Sequence, residues 1–146
     1  MEGERTIAVL TRLAFERWNA RDFDGLLELF EEDAVWDMTP AGIPGMGAYR
    51  GHDAIRRWFG QWLEVFPDSR VEVEEIETRV DWGLVTILQH AIGGSSGAPV
   101  PFRYYGVGRW REGRLVFVEN HMEAGPARAA FRRYTEADSS RPELTR

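Results

Sequence analysis

Ala48-Tyr49-Arg50-Gly51-His52-Asp53-Ala54-Ile55-Arg56-Arg57-Trp58-Phe59 is the stretch whose reading decides the fold. It follows a short strand-like segment, Ala34-Val35-Trp36-Asp37-Met38, and a loop broken by Pro40, Gly42, Pro44, Gly45 and Gly47. Within and beyond it, Ile55, Trp58, Phe59, Trp62 and Phe66 recur at three- and four-residue spacing, which predicts a helix with one wide aromatic face. Such a face carries more ring area than plain packing on a small sheet needs. The helix is therefore expected to close a pocket, with the Pro/Gly loop as its lid.

Toward the N-terminus, Ile7, Leu10, Ala14 and Trp18 mark one face of a first helix. Asp22 stands where it can cap a second helix carrying Leu26, Leu27 and Phe30. Toward the C-terminus the pattern changes to alternation. Val71 and Val73 share a face, then Ile76, Thr78 and Val80 share one after a one-residue shift at Glu74-Glu75, which predicts a bulge. Three strands are expected to follow, Trp82 to Ile92, Val100 to Trp110 and Arg114 to Glu123. The connections Gly93-Gly94-Ser95-Ser96-Gly97 and Arg111-Glu112-Gly113 make them successive hairpins of an antiparallel sheet. Both faces of these strands are apolar, so a partner subunit is expected to cover the outer one, giving a homodimer. Residues 1–124 are expected to form one domain and residues 125–146 a C-terminal extension, helical from Ala127 to Tyr134 and flexible from Thr135.

Composition narrows the function. A chain of 146 residues has the usual size of one domain. The net charge is −6 and the arginines are scattered, so no basic block offers itself to a phosphate backbone and nucleic acid is not an expected partner. With no cysteine, the chain has no disulfide, thiolate or Cys-ligated metal chemistry. No apolar run is long enough for a membrane span and the charged start is unlike a signal peptide, so a cytoplasmic protein is expected. Neither a phosphate-binding loop nor a dinucleotide fingerprint occurs, and the Gly94-Ser95-Ser96-Gly97 run lacks the frame of a nucleophile elbow. No cofactor is expected.

The segments Glu32-Asp33-Ala34-Val35-Trp36, Tyr49-Arg50-Gly51-His52-Asp53-Ala54-Ile55 and Glu112-Gly113-Arg114-Leu115-Val116, in this order, resemble the first-strand, pocket-helix and last-hairpin signatures of the nuclear transport factor 2-like superfamily. The likeness is strongest to its SnoaL-like, polyketide-cyclase-like branch and runs from Thr6 to Glu123. It implies an α+β, cystatin-like fold, in which a cone-shaped, mainly antiparallel sheet packs on N-terminal helices around an internal pocket. Members isomerise steroids, close polyketide rings, hydrate epoxides, dehydrate small polyols or only bind ligands, so function has to be argued from cavity residues.

Strand alternation, aligned by similarity to the limonene epoxide hydrolases, puts Val35 and Asp37 inward, then Thr86, Leu88 and His90, then Tyr104, Gly106 and Gly108, and last Val116, Val118, Asn120 and Met122. The proton relay of those hydrolases would fall on Asn120, Leu88 and His90, which cannot reproduce it. The ketosteroid isomerases would place their two oxyanion donors near Ala14 and Gly106, and only their base finds a counterpart, Asp37. Asp37 is thus the candidate general base, or else the cap of the turn that follows it. His90 is a candidate proton carrier, or a hydrogen-bonded structural histidine. Tyr104 and Asn120 are candidates to polarise a carbonyl, or buried polar groups that need partners.

Trp18, Trp36, Tyr49, Trp58, Trp62, Phe66, Leu88, Val118 and Met122 are the expected ligand-binding residues. His52 is expected to cap the pocket helix or reach the cavity mouth. His121 is expected on the outer face with Glu119 and Glu123, away from His90, and no metal site is expected. The reading is a small-molecule-binding SnoaL-like domain, as a cofactor-independent isomerase or cyclase on an apolar cyclic or carbonyl substrate. The alternatives are a non-catalytic binding or dimerisation module and epoxide hydration.

Overall fold

A computed structural model describes residues 2–90 and 101–140. The chain opens with helix α1, Glu2–Asn19, and the five-residue helix α2, Phe23–Leu27, whose first turn is capped by the Asp22 carboxylate accepting from the Gly25 amide at 3.0 Å. Strand β1 spans Phe30–Asp37, longer than expected and starting at the residue assigned to the second helix. A 3₁₀ turn, Thr39–Ala41, and the short strand β2, Ala48–Arg50, lead into helix α3, His52–Val65. Gly51 precedes that helix with φ +89, a conformation open to glycine. The His52 ring meets the Phe30 carbonyl at 3.0 Å, fastening the start of α3 to β1.

Strands β3, Arg70–Arg79, β4, Trp82–His90, β5, Phe102–Arg111, and β6, Arg114–His121, complete a six-stranded sheet in the order β2-β1-β6-β5-β4-β3. All pairs are antiparallel except β1 with β6, which run parallel and bring the first long strand beside the last. The expected bulge is present, as a register shift between Val73 and Glu75 against β4. The β5–β6 hairpin turns through Glu112 at φ +52 and Gly113 at φ +80, the left-handed pair that a two-residue hairpin favours. The connection from Gly93 to Gly97, the Ile92 and Val100 strand ends and the residues after Ser140 lie outside the described residues.

Two cores result, one on each face of the sheet. On the inner face α1 and α3 pack through Ile7, Trp18, Ile55, Trp58, Phe59 and Trp62 against Val85, Ile87 and Val118. On the outer face helix α4, Ala124–Ser140, lays Ala127, Ala130 and Phe131 on Trp82, Leu84 and Val107. This corrects two expectations. The helix is twice as long as Ala127 to Tyr134, with Thr135 fully buried rather than the start of a flexible tail, and the chain's own helix covers part of the face that was assigned to a partner subunit. Among the described residues no helix is long and apolar enough to cross a membrane.

Under α4 lies a buried polar network. The Glu119 carboxylate accepts from Tyr134 Oη at 2.6 Å and meets His121 Nε2 at 2.6 Å, and the two acid–base side chains are each 8% exposed. Tyr134 also stacks flat on Trp82, ring centres 4.3 Å apart, and the Trp82 indole donates to Asp138 at 2.7 Å. Sequence parity placed His121 and Glu119 on this outer face correctly. Their hydrogen-bonding capacity is turned toward each other and toward α4 rather than toward a metal, and no metal-holding group of three or more such side chains occurs among the described residues.

Candidate functional site

A hollow opens between the inner face of the sheet, α1 and α3. Its volume is about 70 Å³ by the measure in which one water takes about 10–15 Å³. Helix α1 contributes Thr11, Ala14, Phe15 and Trp18, and α3 contributes Trp58, Phe59 and Trp62. These come from the i, i+3, i+4 stripes of both helices, which is why spacing alone revealed the aromatic wall. The sheet supplies Trp36, Val85, Ile87, Tyr104, Val118 and Asn120, with Trp110 and Leu115 at the β5–β6 end. Gly106 and Gly108 on β5 keep the floor low. A Cβ at Gly106 would stand 3.2 Å from Val85 Cγ1, and one at Gly108 would stand 3.1 Å from Leu115 Cδ1.

Five of the six tryptophans line this space, and three of them, Trp18, Trp36 and Trp62, pack around Trp58. Trp58 lies 4.9 Å from Trp36, 5.5 Å from Trp62 and 6.4 Å from Trp18, centre to centre. The Trp62 indole donates to Gln89 Oε1 at 3.4 Å, and Gln89 donates in turn to Ser69 Oγ at 2.6 Å. The ring nitrogens of Trp18, Trp36 and Trp58 are buried without any hydrogen-bond partner. Among the described residues, none in the wall is Asp, Glu, His, Lys or Arg.

Tyr104 and Asn120 sit where the hollow meets a smaller recess formed by Met38, Ala41, Met122 and the rims of Trp58 and Trp62. Asn120 is buried and its Nδ2 donates to the Asp37 carbonyl at 3.3 Å, tying β6 to the end of β1. Burial pushes the Tyr104 phenol well above its ordinary pKa, so it stays protonated. Its side chain borders both spaces. The loop after β1 packs Ala41, Ile43 and Met46 on the core, and Ala41 lines the recess.

The remaining candidates fall elsewhere. Asp37 is not in the wall. Its Oδ1 accepts from the Thr39 amide at 2.9 Å and from Thr39 Oγ1 at 2.7 Å, an Asx turn that leads into the 3₁₀ segment, and Trp36 is the β1 residue that faces the hollow. The inward set of Val35 and Asp37 is therefore corrected by one residue. The β4 set is corrected in the same way. Val85 and Ile87 line the hollow and Gln89 is buried beside Trp62, so Thr86, Leu88 and His90 belong to the other face. His90 is exposed and meets Glu72 Oε1 at 3.3 Å.

On β5 the inward set of Tyr104, Gly106 and Gly108 is as expected, and on β6 Val118 and Asn120 are, whereas Leu115 replaces Val116 because the hairpin register shifts between Arg109 and Trp110. Of the expected ligand-binding residues, Trp18, Trp36, Trp58, Trp62 and Val118 line the hollow and Met122 lines the recess. Leu88 is on the outer face. Phe66 packs behind Trp62 at 5.1 Å, and Tyr49 Oη accepts from the Gly47 amide at 3.3 Å, so both support the wall from outside it. Sequence reading missed Phe15, Ile76 and Trp110.

A family model described as the SnoaL-like domain matches residues 11–118, most of the chain and most of the elements that enclose the hollow. The chain belongs to the SnoaL-like domain family. No curated protein matches this SnoaL-like domain by sequence. Among solved structures it is similar to Bal32a from a soil-derived mobile gene cassette, at 21% identity and TM-score 0.74 over 88% of this chain and 98% of that one. TerC co-crystallised with polyporic acid is similar at 18% identity and TM-score 0.73, over 90% and 98% of the two chains. A putative polyketide cyclase from Sinorhizobium meliloti is similar at 22% identity and TM-score 0.63, over 76% and 92%. These likenesses show the shared fold.

Proposed function

We propose that this SnoaL-like domain binds an apolar cyclic small molecule in the hollow between α1, α3 and the sheet. The supporting observation is the hollow itself, a space of about 70 Å³ walled by five indoles and, among the described residues, free of charged side chains. Native interiors are close-packed, and filling such a space with an apolar ring restores contacts that the empty wall lacks. That the similar structure of TerC was co-crystallised with polyporic acid agrees with a binding role. The test is a thermal melt with toluene. Toluene raises the melting temperature of the native chain and leaves that of Ala14→Leu unchanged, because the larger side chain fills the space. Equal stabilisation of both chains would move the binding site elsewhere.

A second reading, a cofactor-independent isomerase or cyclase, draws on Tyr104 and Asn120. A protonated phenol and a neutral amide at the edge of an apolar hollow can hold a carbonyl oxygen as it gains negative charge. The base for that chemistry would be Asp37, whose carboxylate has to leave the Thr39 turn to reach a substrate. Deuterium uptake into cyclic enones in heavy water tests it. Uptake that is lost in both Tyr104→Phe and Asp37→Asn supports the reading, and uptake absent from the native chain removes it. Epoxide hydration gains no support, since no carboxylate of the described residues lines the hollow.

A further inference from the structure

Two of the indoles that line the hollow are tied together behind the wall by a chain of polar groups. Trp62 donates its indole proton to Gln89 Oε1 at 3.4 Å, and Gln89 Nε2 donates to Ser69 Oγ at 2.6 Å and to the His90 carbonyl at 3.1 Å. An indole N–H can only donate, so it fixes which way the amide points, and Oε1 and both Nε2 protons are then all engaged. Gln89 and Ser69 are fully buried. The Ser69 carbonyl in turn accepts from Arg21 Nη2 at 2.6 Å. Arg21 also donates to the Trp18 carbonyl at 3.0 Å, and its guanidinium carbon lies 5.6 Å from the centre of the Trp18 ring. The residue takes φ +59, a left-handed backbone that glycine adopts at less cost. Glycine there would keep the bend and lose the guanidinium.

We infer that Arg21, Ser69 and Gln89 are positioning residues that fix Trp18 and Trp62, and so set the size of ring that the hollow admits. This rests on the proposed binding role of the hollow and adds the residues that decide its selectivity. None of the three lines the hollow, so they act through the indoles they hold. Trp58 packs against both of those indoles, at 6.4 Å and 5.5 Å, and a shift at either end therefore reaches it. A fully satisfied buried polar network rigidifies what it touches, and losing one member leaves another buried group unpaired. A wall held in this way discriminates by size, since one methylene in an apolar pocket changes affinity by about 10–200-fold. A wall free to give would not. Asn19 makes a separate tie between α1 and β3, donating to the Val71 carbonyl and accepting from its amide, both at 2.9 Å. That tie shares no hydrogen bond with the chain from Arg21 to Trp62.

The experiment measures ¹⁵N relaxation of the indole N–H groups in the native chain, Arg21→Met, Gln89→Met and Asn19→Ala, and then the affinities of toluene and mesitylene for each. Arg21→Met is expected to lower the order parameter of the Trp62 indole as well as that of Trp18, although of the two rings Arg21 contacts only Trp18. The preference for toluene over the larger mesitylene is expected to fall about tenfold in Arg21→Met and in Gln89→Met, and to hold in Asn19→Ala. Should Gln89→Met not fold, Arg21→Met decides, since that side chain is partly exposed. Loss of order confined to Trp18, a preference unchanged in Arg21→Met, or an equal fall in Asn19→Ala overturns the positioning role and leaves the hollow as a binding site. Failure of both probes to bind the native chain overturns the selectivity role together with the binding reading.

Discussion

The two faces of the sheet bury similar side chains to opposite ends. On the outer face, α4 fills the space above Trp82, Leu84 and Val107, and the buried polar groups there are paired. Trp82 donates to Asp138, and Glu119 is shared by His121 and Tyr134. The exception on this face, among the described residues, is Arg109 Nε, which is buried without a partner. On the inner face, a larger set of aromatic rings encloses an unfilled hollow and leaves three indole donors unpaired. Packing and pairing on one side indicate a surface shaped for stability. The hollow on the other is the space that the proposed ligand would fill.

The comparison breaks most readily at Phe131. Phe131→Ala empties the outer core and is expected to cost about 3–5 kcal/mol of unfolding free energy in denaturant melts. The rise in melting temperature with toluene, taken relative to the variant's own melt, should stay as it was, and its loss would mean that the two faces are not independent. The indoles give a finer test. Trp82→Phe removes a paired donor and Trp18→Phe an unpaired one, so the first should be the more destabilising by about 1 kcal/mol beyond the shared loss of ring area. An equal cost would show that Trp18 has a partner after all.

The smallest effect concerns pH. Burial raises the pKa of Tyr104 on the inner face, and burial followed by the hydrogen bond to Glu119 raises that of Tyr134 on the outer. In the unfolded chain both phenols titrate near pH 10, about the ordinary tyrosine value. The folded protein therefore holds protons that the unfolded one has released, and stability is complete below about pH 10 and falls as pH rises through the folded values. Tyr104→Phe and Tyr134→Phe should each flatten that fall in unfolding free energies measured between neutral and alkaline pH. An unchanged slope in both would place the alkaline sensitivity elsewhere.

What the sequence disclosed depends on whether a strand or helix has one apolar face or two. The α3 stripe from Ile55 to Trp62 is apolar on one side only, so its pocket role was legible from spacing. The bulge at Glu74-Glu75 was legible because the alternation itself changes phase there. On β4, by contrast, Leu84 and Leu88 alternate with Val85 and Ile87, and because α4 covers Trp82 and Leu84, both faces are apolar and parity has no marker. His90 was therefore exchanged for its neighbour Gln89. On β1 the irregular pairing between Phe30 and Val35 hid the phase, and Asp37 was read as inward when it makes an Asx turn. The length of α4 was available in Ala127, Ala130, Phe131 and Thr135 at helical spacing, but small and polar residues give too faint a stripe to predict docking.

Gly106 and Gly108 give the domain an adjustable gauge. Each lies on β5 between β4 and β6, and the first atoms that a new methyl would meet are the tips of Val85 and Leu115, side chains that would have to give by a few tenths of an ångström. One added methyl in an apolar pocket changes discrimination between ligands by about 10–200-fold. On the proposed binding role, a single-codon change at either glycine would thus retune which molecule is admitted without touching the helices or the covered outer face.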